Sequence, residues 1–267
     1  MAPGAPGQFR AAGQRNLVLN VNGSMKRAIV LFLLLAPALA LADIQPVELH
    51  HELSLPAGIQ DKVVALTLDA CGGAFDARFA QFLIERRIQV TVFATRRWIR
   101  RNPQALALLN AHADLFEIED HGANHVPAIV GADRRVYGLA GAADMKQLRR
   151  EVTGGAEAVK AATGTAPRWY RGATGEYDPQ ALKAIEQMGY KVAGFSVNAD
   201  NGATLSHKQI VARLKKVRSG DIIIAHLNKP DSDTAKGMAA GLQLLMNQGF
   251  RFVRLDASSV RPLQKRI

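Results

Sequence analysis

Five short segments of this 267-residue chain carry side chains that could act together on a polar bond. Asp69 closes an apolar run in Leu66-Thr67-Leu68-Asp69-Ala70-Cys71-Gly72-Gly73, an acid set directly before a glycine turn. His121 and His125 lie four apart in Glu119-Asp120-His121-Gly122-Ala123-Asn124-His125. On one helical turn that spacing points both imidazoles the same way, so they could hold one divalent metal. Arg171 follows Trp169-Tyr170, Asp200 follows Asn198-Ala199, and His226 ends Ile222-Ile223-Ile224-Ala225-His226. Each has a plain structural alternative: a helix cap for Asp69, a surface charge for Arg171, a turn for Asp200, a core histidine for His226. The turn is the favoured reading of Asp200. Together a carboxylate, a histidine pair, an arginine and a further histidine form the parts of a metal-assisted hydrolase.

Such parts need a scaffold that brings distant segments to one edge. Residues 63–68 are apolar and rich in β-branched types, as in a strand buried on both faces. Further strands are predicted at 90–94, 115–118, 168–170, 191–197, 222–226 and 250–255. Helices are predicted at 76–87, 103–109, 143–163, 179–188, 206–217 and 234–247, with Asp76, Asp178 and Ser206 at starts and Gly164, Gly189, Gly220 and Gly249 at stops. Residues 126–140 read as irregular. No internal repeat or linker is visible, so one domain is expected. Alternating strands and helices imply parallel pairing through helical crossovers. About seven strands suggest an α/β barrel, complete or incomplete, with an open doubly wound sheet as competitor. In either, reactive groups belong at the C-terminal edge of the strands, where these five segments fall.

The N-terminal residues read differently. Residues 1–24 have no acid and no periodicity, whereas Met25 opens a basic start (Lys26, Arg27), an apolar stretch to Leu39 and Ala40-Leu41-Ala42. That is the layout of a secretory signal peptide. The expected division is an extension not native to the protein at 1–24, a signal peptide at 25–42 and a single catalytic domain at 43–267. The expected location is the periplasm or the extracellular space, with no stable membrane insertion after cleavage. The apolar stretch falls short of the roughly 20 residues that span a bilayer. The whole chain carries +11, of which Arg10, Arg15, Lys26 and Arg27 precede the cleavage point, leaving +7. Export argues against nucleic acid and for an anionic envelope polymer or a merely solvated basic face. One cysteine, Cys71, excludes an internal disulfide framework and an all-cysteine metal site.

In the order and spacing of these segments the chain resembles the polysaccharide deacetylases, the NodB-homology group of carbohydrate esterases, over about residues 60–256. Leu66-Thr67-Leu68-Asp69 resembles the family's TFDDG motif, His121–His125 its H-[ST]-x-x-H region and Ile224-Ala225-His226 its L-x-H motif. Arg171 resembles the arginine of R-x-P-[YF], and Asp200 falls near the aspartate–tryptophan motif. The resemblance implies a deformed (β/α) barrel and removal of N- or O-linked acetyl groups from a glycan. It also implies one divalent metal, zinc first with cobalt or nickel as alternatives, held by His121 and His125. By the same resemblance Asp69 is the base, His226 the general acid and Arg171 the partner that keeps Asp69 ionised.

The departures matter as much. Ala70 stands where the family has a second aspartate, normally the third metal ligand. Asp69 itself, Cys71 or Asp76 could replace it, or two histidines could suffice; a carboxylate is favoured for a hydrolytic site. Ala173 replaces the third motif's proline, and no tryptophan follows Asp200. Phe195, Trp169 and Tyr177 are the aromatics that could stack on sugar, or equally belong to the core. Two other functions compete: hydrolysis of another C–N bond on the same scaffold, and glycan binding without turnover.

Overall fold

A computed structural model describes residues 45–56, 58, 61–255 and 260–263. The expected extension and signal peptide lie outside the described residues. Eight parallel strands form the main sheet: β1 Lys62–Ala70, β2 Val90–Ala94, β3 Phe116–Asp120, β4 Trp169–Tyr170, β5 Lys191–Val192, β6 Val197–Asn198, β7 Ile222–His226 and β8 Phe250–Val253. Their order is β5-β4-β3-β2-β1-β7-β6, with β8 beside the first half of β1. The helices are α1 Ala77–Glu85, α2 Arg96–Arg101, α3 Pro103–Ala111, α4 Met145–Thr163, α5 Pro179–Gln187, α6 His207–Leu214 and α7 Thr234–Asn247.

The sheet is a deformed half-barrel, and its two edges are joined by residues 193–196. The single strand expected at 191–197 breaks here for a reason visible in its bonds. Ala193 N–H still donates to Tyr170 of β4, and Ser196 N–H already donates to Ile222 of β7. Between them Phe195 pairs instead with Leu49 and His51 of the N-terminal segment. Gly194 is required at the crossing, because a Cβ there would collide with the Leu49 carbonyl. Counted as one crossing segment, 191–198 gives seven strands.

Strand β1 shows how the sequence sorts its side chains. Val64, Leu66, Leu68 and Ala70 pack into the layer under the helices, with Phe79, Leu83, Leu109 and Leu242. Val63 and Ala65 face the other way, into the half-barrel, with Phe93, Trp169, Phe195 and Ile224. This is the period-two alternation of a pleated strand, and both faces are dry. It places Thr67 and Asp69 on the inner face. Burial of apolar surface on both sides, at about 25 cal/mol per Å², makes this strand the stable floor of the site.

Helix positions follow their caps. Asp76 accepts the Phe79 N–H at 3.1 Å, Thr95 the Trp98 N–H at 2.9 Å, and Asp144 the Gln147 N–H at 2.6 Å. Helix α2 was not expected; its Arg96-Arg97-Trp98-Ile99-Arg100-Arg101 run is too short and basic to show periodicity, and Trp98 and Ile99 alone anchor it. Within 126–140 the chain forms strand pieces Pro127–Ala128, Arg135–Val136 and Leu139–Ala140. Short strands at Val47–Glu48, His51–Leu53, Ala173–Tyr177 and Val260–Pro262 were also unforeseen, being too brief to carry a pattern. Among the described residues no helix is long and apolar enough to cross a membrane.

Candidate active site

Ladder register brings the acid and the last histidine together. His226 on β7 lies opposite Asp69 on β1, and Asp69 is flanked on its other side by Phe93 of β2. Arg171, one residue past β4, reaches across the half-barrel floor. Its Nη1 donates to Asp69 Oδ1 at 2.9 Å and to Thr67 Oγ1 at 2.9 Å. Its Nε and Nη2 donate to the carbonyls of Ala193 and Gly194, each at 3.3 Å. The guanidinium lies 4.2 Å from the Phe93 ring centroid. Arg171 is 1% exposed, so the surface-charge alternative fails. Burial pushes the Asp69 carboxyl up, but the charges of Arg171, His121 and His226 outweigh it and hold the group below its ordinary value.

The histidine pair converges by a different route from the helical turn its spacing suggested. Residues 121–126 form a loop, not a helix, with left-handed backbone at Gly122 (φ 83°) and at His125 (φ 67°). That conformation is costly for a histidine and is held from outside. Glu151 of α4 does this: its Oε1 accepts the N–H groups of Asn124 at 2.7 Å and Val126 at 3.1 Å. Helix α4 approaches closely because Gly155 has no side chain; a Cβ there would lie 2.6 Å from the Gly122 carbonyl carbon. The two rings meet edge to face with centroids 5.0 Å apart.

His121 Nδ1 sits 2.6 Å from the Arg171 carbonyl oxygen. A carbonyl only accepts, so Nδ1 carries the proton and Nε2 is left facing inward. There it lies 3.4 Å from Cys71 Sγ and 3.7 Å from Asp69 Oδ2. Among the described residues, Cys71, His121 and His125 are the group whose ligand atoms all lie within 4.8 Å of one another. Burial would lower the His121 pKa, yet Asp69 and Cys71 lift it to about 9. Burial likewise opposes ionisation of Cys71, but His121, with hydrogen bonds from His121, His125 and His226, holds the thiol well below its ordinary value. A pocket that gathers a proton this way is chemically suited to a cation. Two imidazole nitrogens and one sulfur, with one imidazole fixed through its other nitrogen by a carbonyl, match a zinc donor set and its supporting shell.

Asp76 stands apart from this group. It is buried and spent on the N-cap of α1. Ala70 faces the helix layer, fully buried. Asp200 does more than form the turn its sequence context suggests. Its carboxylate accepts the His226 N–H at 2.9 Å and the Thr234 hydroxyl at 3.0 Å, and lies 2.9 Å from His226 Nδ1. Nδ1 therefore donates to Asp200, and His226 Nε2 is left to face the Cys71 side. Burial would lower the His226 pKa, but the Asp200 carboxylate raises it well above the ordinary histidine value. Phe195, Trp169 and Tyr177 are all core residues, 4%, 2% and 0% exposed, so none offers a face to a sugar. Glu151 had no sequence signal, since it sits mid-helix among ordinary charged residues.

A half-barrel with an Arg-held carboxylate, a histidine pair and an Asp-held histidine on its C-terminal edge is a NodB-like (β/α) scaffold. The polysaccharide deacetylase family matches the chain over residues 58–193, half its length, and the chain belongs to that family. Solved structures of the same fold include the Streptomyces lividans family 4 carbohydrate esterase in complex with acetate: 17% identity, TM-score 0.60, 76% of this chain and 98% of that one. The Bc1960 peptidoglycan N-acetylglucosamine deacetylase matches at 20% identity and TM-score 0.61, over 73% of this chain and 87% of that one. The Bacillus anthracis protein BA3943, a family 4 pseudoenzyme, matches at 18% identity and TM-score 0.58, over 73% of this chain. This chain spans 64% of BA3943's length. No curated protein sequence matches at a significant level.

Proposed function

We propose that the protein is an exported, metal-dependent deacetylase that removes N- or O-linked acetyl groups from an envelope or extracellular glycan. The observation that carries this reading is the pairing of a buried, Arg171-held carboxylate with a half-buried, Asp200-held histidine on adjacent strands. A glycan binder needs no such acid–base couple. The metal would sit against His121 and His125, with Cys71 or Asp69 as a further donor; zinc is the first choice and cobalt or nickel alternatives. Bound there, a divalent ion would supply polarisation of the acetyl carbonyl and a more acidic water.

The chain's own residues divide the remaining work. Asp69 Oδ1 is tied to Arg171, so Oδ2 is the atom that accepts a proton from the attacking water. Arg171 keeps that carboxylate ionised and fixed in direction. His226 brings a proton on Nε2 to the leaving nitrogen or oxygen as the acyl bond breaks, while Asp200 holds Nδ1–H and the ring plane. The products are acetate and a free amine or hydroxyl. Hydrolysis of another C–N bond would use the same groups with a different substrate.

Asp69→Asn tests the assignment. Turnover of an acetylated glycan should fall about 10²–10⁴-fold, the usual worth of a general base, with KM and metal content little changed. Loss of metal in that variant would make Asp69 a ligand rather than the base.

A further inference from the structure

We infer that Cys71 is a metal ligand, so that the site is a Cys-His-His centre selective for a thiophilic ion rather than a carboxylate centre. This rests on the metal-dependent reading above and specifies its metal. The argument is geometric. In tetrahedral zinc, with Zn–N near 2.0–2.1 Å and Zn–S near 2.3 Å, a nitrogen and a sulfur ligand lie about 3.6 Å apart. Cys71 Sγ and His121 Nε2 are 3.4 Å apart, and the His125 donor lies within 4.8 Å of both. His121 is 1% exposed, with Nδ1 already engaged by the Arg171 carbonyl, so Nε2 faces the site, where the sulfur at 3.4 Å is nearer than Asp69 Oδ2 at 3.7 Å.

Strand parity explains how the sulfur arrives there. Ala70 points to the helix layer, where Val64, Leu66 and Leu68 also point. Cys71 continues the alternation of Thr67 and Asp69 toward the site. Its backbone is pinned as the strand ends: the Cys71 carbonyl accepts from the Thr95 hydroxyl at 2.7 Å and from Arg97 Nη2 at 3.3 Å. Asp69 is drawn the other way, to Arg171, and remains available as the base. A thiolate with two imidazoles favours zinc and cobalt over magnesium, calcium and manganese, which prefer all-oxygen sites.

The test is cobalt loading of the purified, metal-stripped protein, read by absorption. The expected spectrum has a sulfur-to-cobalt charge-transfer band in the near ultraviolet beside tetrahedral d–d bands. Cys71→Ser and Cys71→Asp should lose the first and keep the second, with Cys71→Asp moved toward manganese. In the unmodified chain, bound zinc should slow alkylation of the thiol by iodoacetamide at least tenfold, a readout that needs no variant. One bound ion per chain without the charge-transfer band, or with unchanged alkylation, overturns the ligand assignment and leaves the deacetylase reading standing. Failure to take up any divalent ion overturns both.

Discussion

Removing Arg171 exposes how the site is held together. Its guanidinium, 1% exposed, donates to Asp69, Thr67 and two main-chain carbonyls, and the Asp69 side chain is 6% exposed. Arg171→Met keeps most of the side-chain length and deletes all four bonds. Breaking a buried ion pair from one side costs about 3–5 kcal/mol, because the abandoned charge stays in a dry place. His121 Nε2, 3.7 Å from Asp69 Oδ2, remains as partial compensation, which sets the expectation at the lower end, about 3 kcal/mol. Against a total stability of about 5–15 kcal/mol that is a large fraction, yet compatible with folding. In the double variant Arg171→Met/Asp69→Asn the stranded charge is gone, and about 2 kcal/mol of the loss should return as a coupling energy. The assay is urea denaturation of the four metal-free proteins at neutral pH, so that metal linkage does not enter. Additive costs, to within about 0.5 kcal/mol, would refute the claim that Arg171 serves chiefly to keep Asp69 charged.

Glu151→Ala removes the acceptor of two loop N–H groups beside His125, at about 1.5 kcal/mol for each charge-assisted bond, and should weaken zinc binding about 10–100-fold. Glu151→Gln, which keeps a carbonyl acceptor, should lose less; equal zinc affinity in all three proteins, by competition with a chromophoric chelator, would contradict the loop's dependence on Glu151. His51 gives a pH signature away from the histidine pair. Its Nδ1 accepts the Gly194 N–H at 3.1 Å, and burial, then the charges of Arg171 and His50, hold its pKa below 6.5. The unfolded chain therefore binds the proton first. The contribution is fully present above about pH 6.5 and is lost as pH falls through the depressed folded value. His51→Gln should flatten that acid limb of urea stability relative to the unmodified protein, and an identical pH slope in both would remove His51 from the account.

The long, strongly patterned elements were legible from the sequence because one physical cause fixed each. Val63–Leu68 and Ile222–Ala225 are apolar on both faces, which only a buried parallel strand accepts. Thr234–Asn247 matches its expected helix end for end. Asp69, Arg171 and His226 meet because strand ends meet, as the C-terminal-edge rule requires. What the sequence hid is tertiary. The HxxxH spacing suggested a helical turn, but a glycine at φ 83° and a distant glutamate shape the loop instead. Asp200 looked like a turn former because its partner, His226, is 26 residues away. Asp76 stands in the sequence both at a helix start and among the candidate metal donors, and the cap bond to Phe79 decides for the first. The chain's crossing at Gly194 depends on the N-terminal segment, which no local pattern reveals.

In the proposed reaction His121 and His125 hold an ion beside Asp69 and His226, which together cleave an acetyl group. The most direct measurement is acetate release from acetylated glucosamine and xylose oligomers by the purified protein as isolated, after chelation, and after stoichiometric zinc is returned. The expected result is about one divalent ion per chain, acetate production that chelation abolishes, and recovery on adding zinc back. A protein that retains and regains no divalent ion, and yields no acetate in any of the three states, would contradict it.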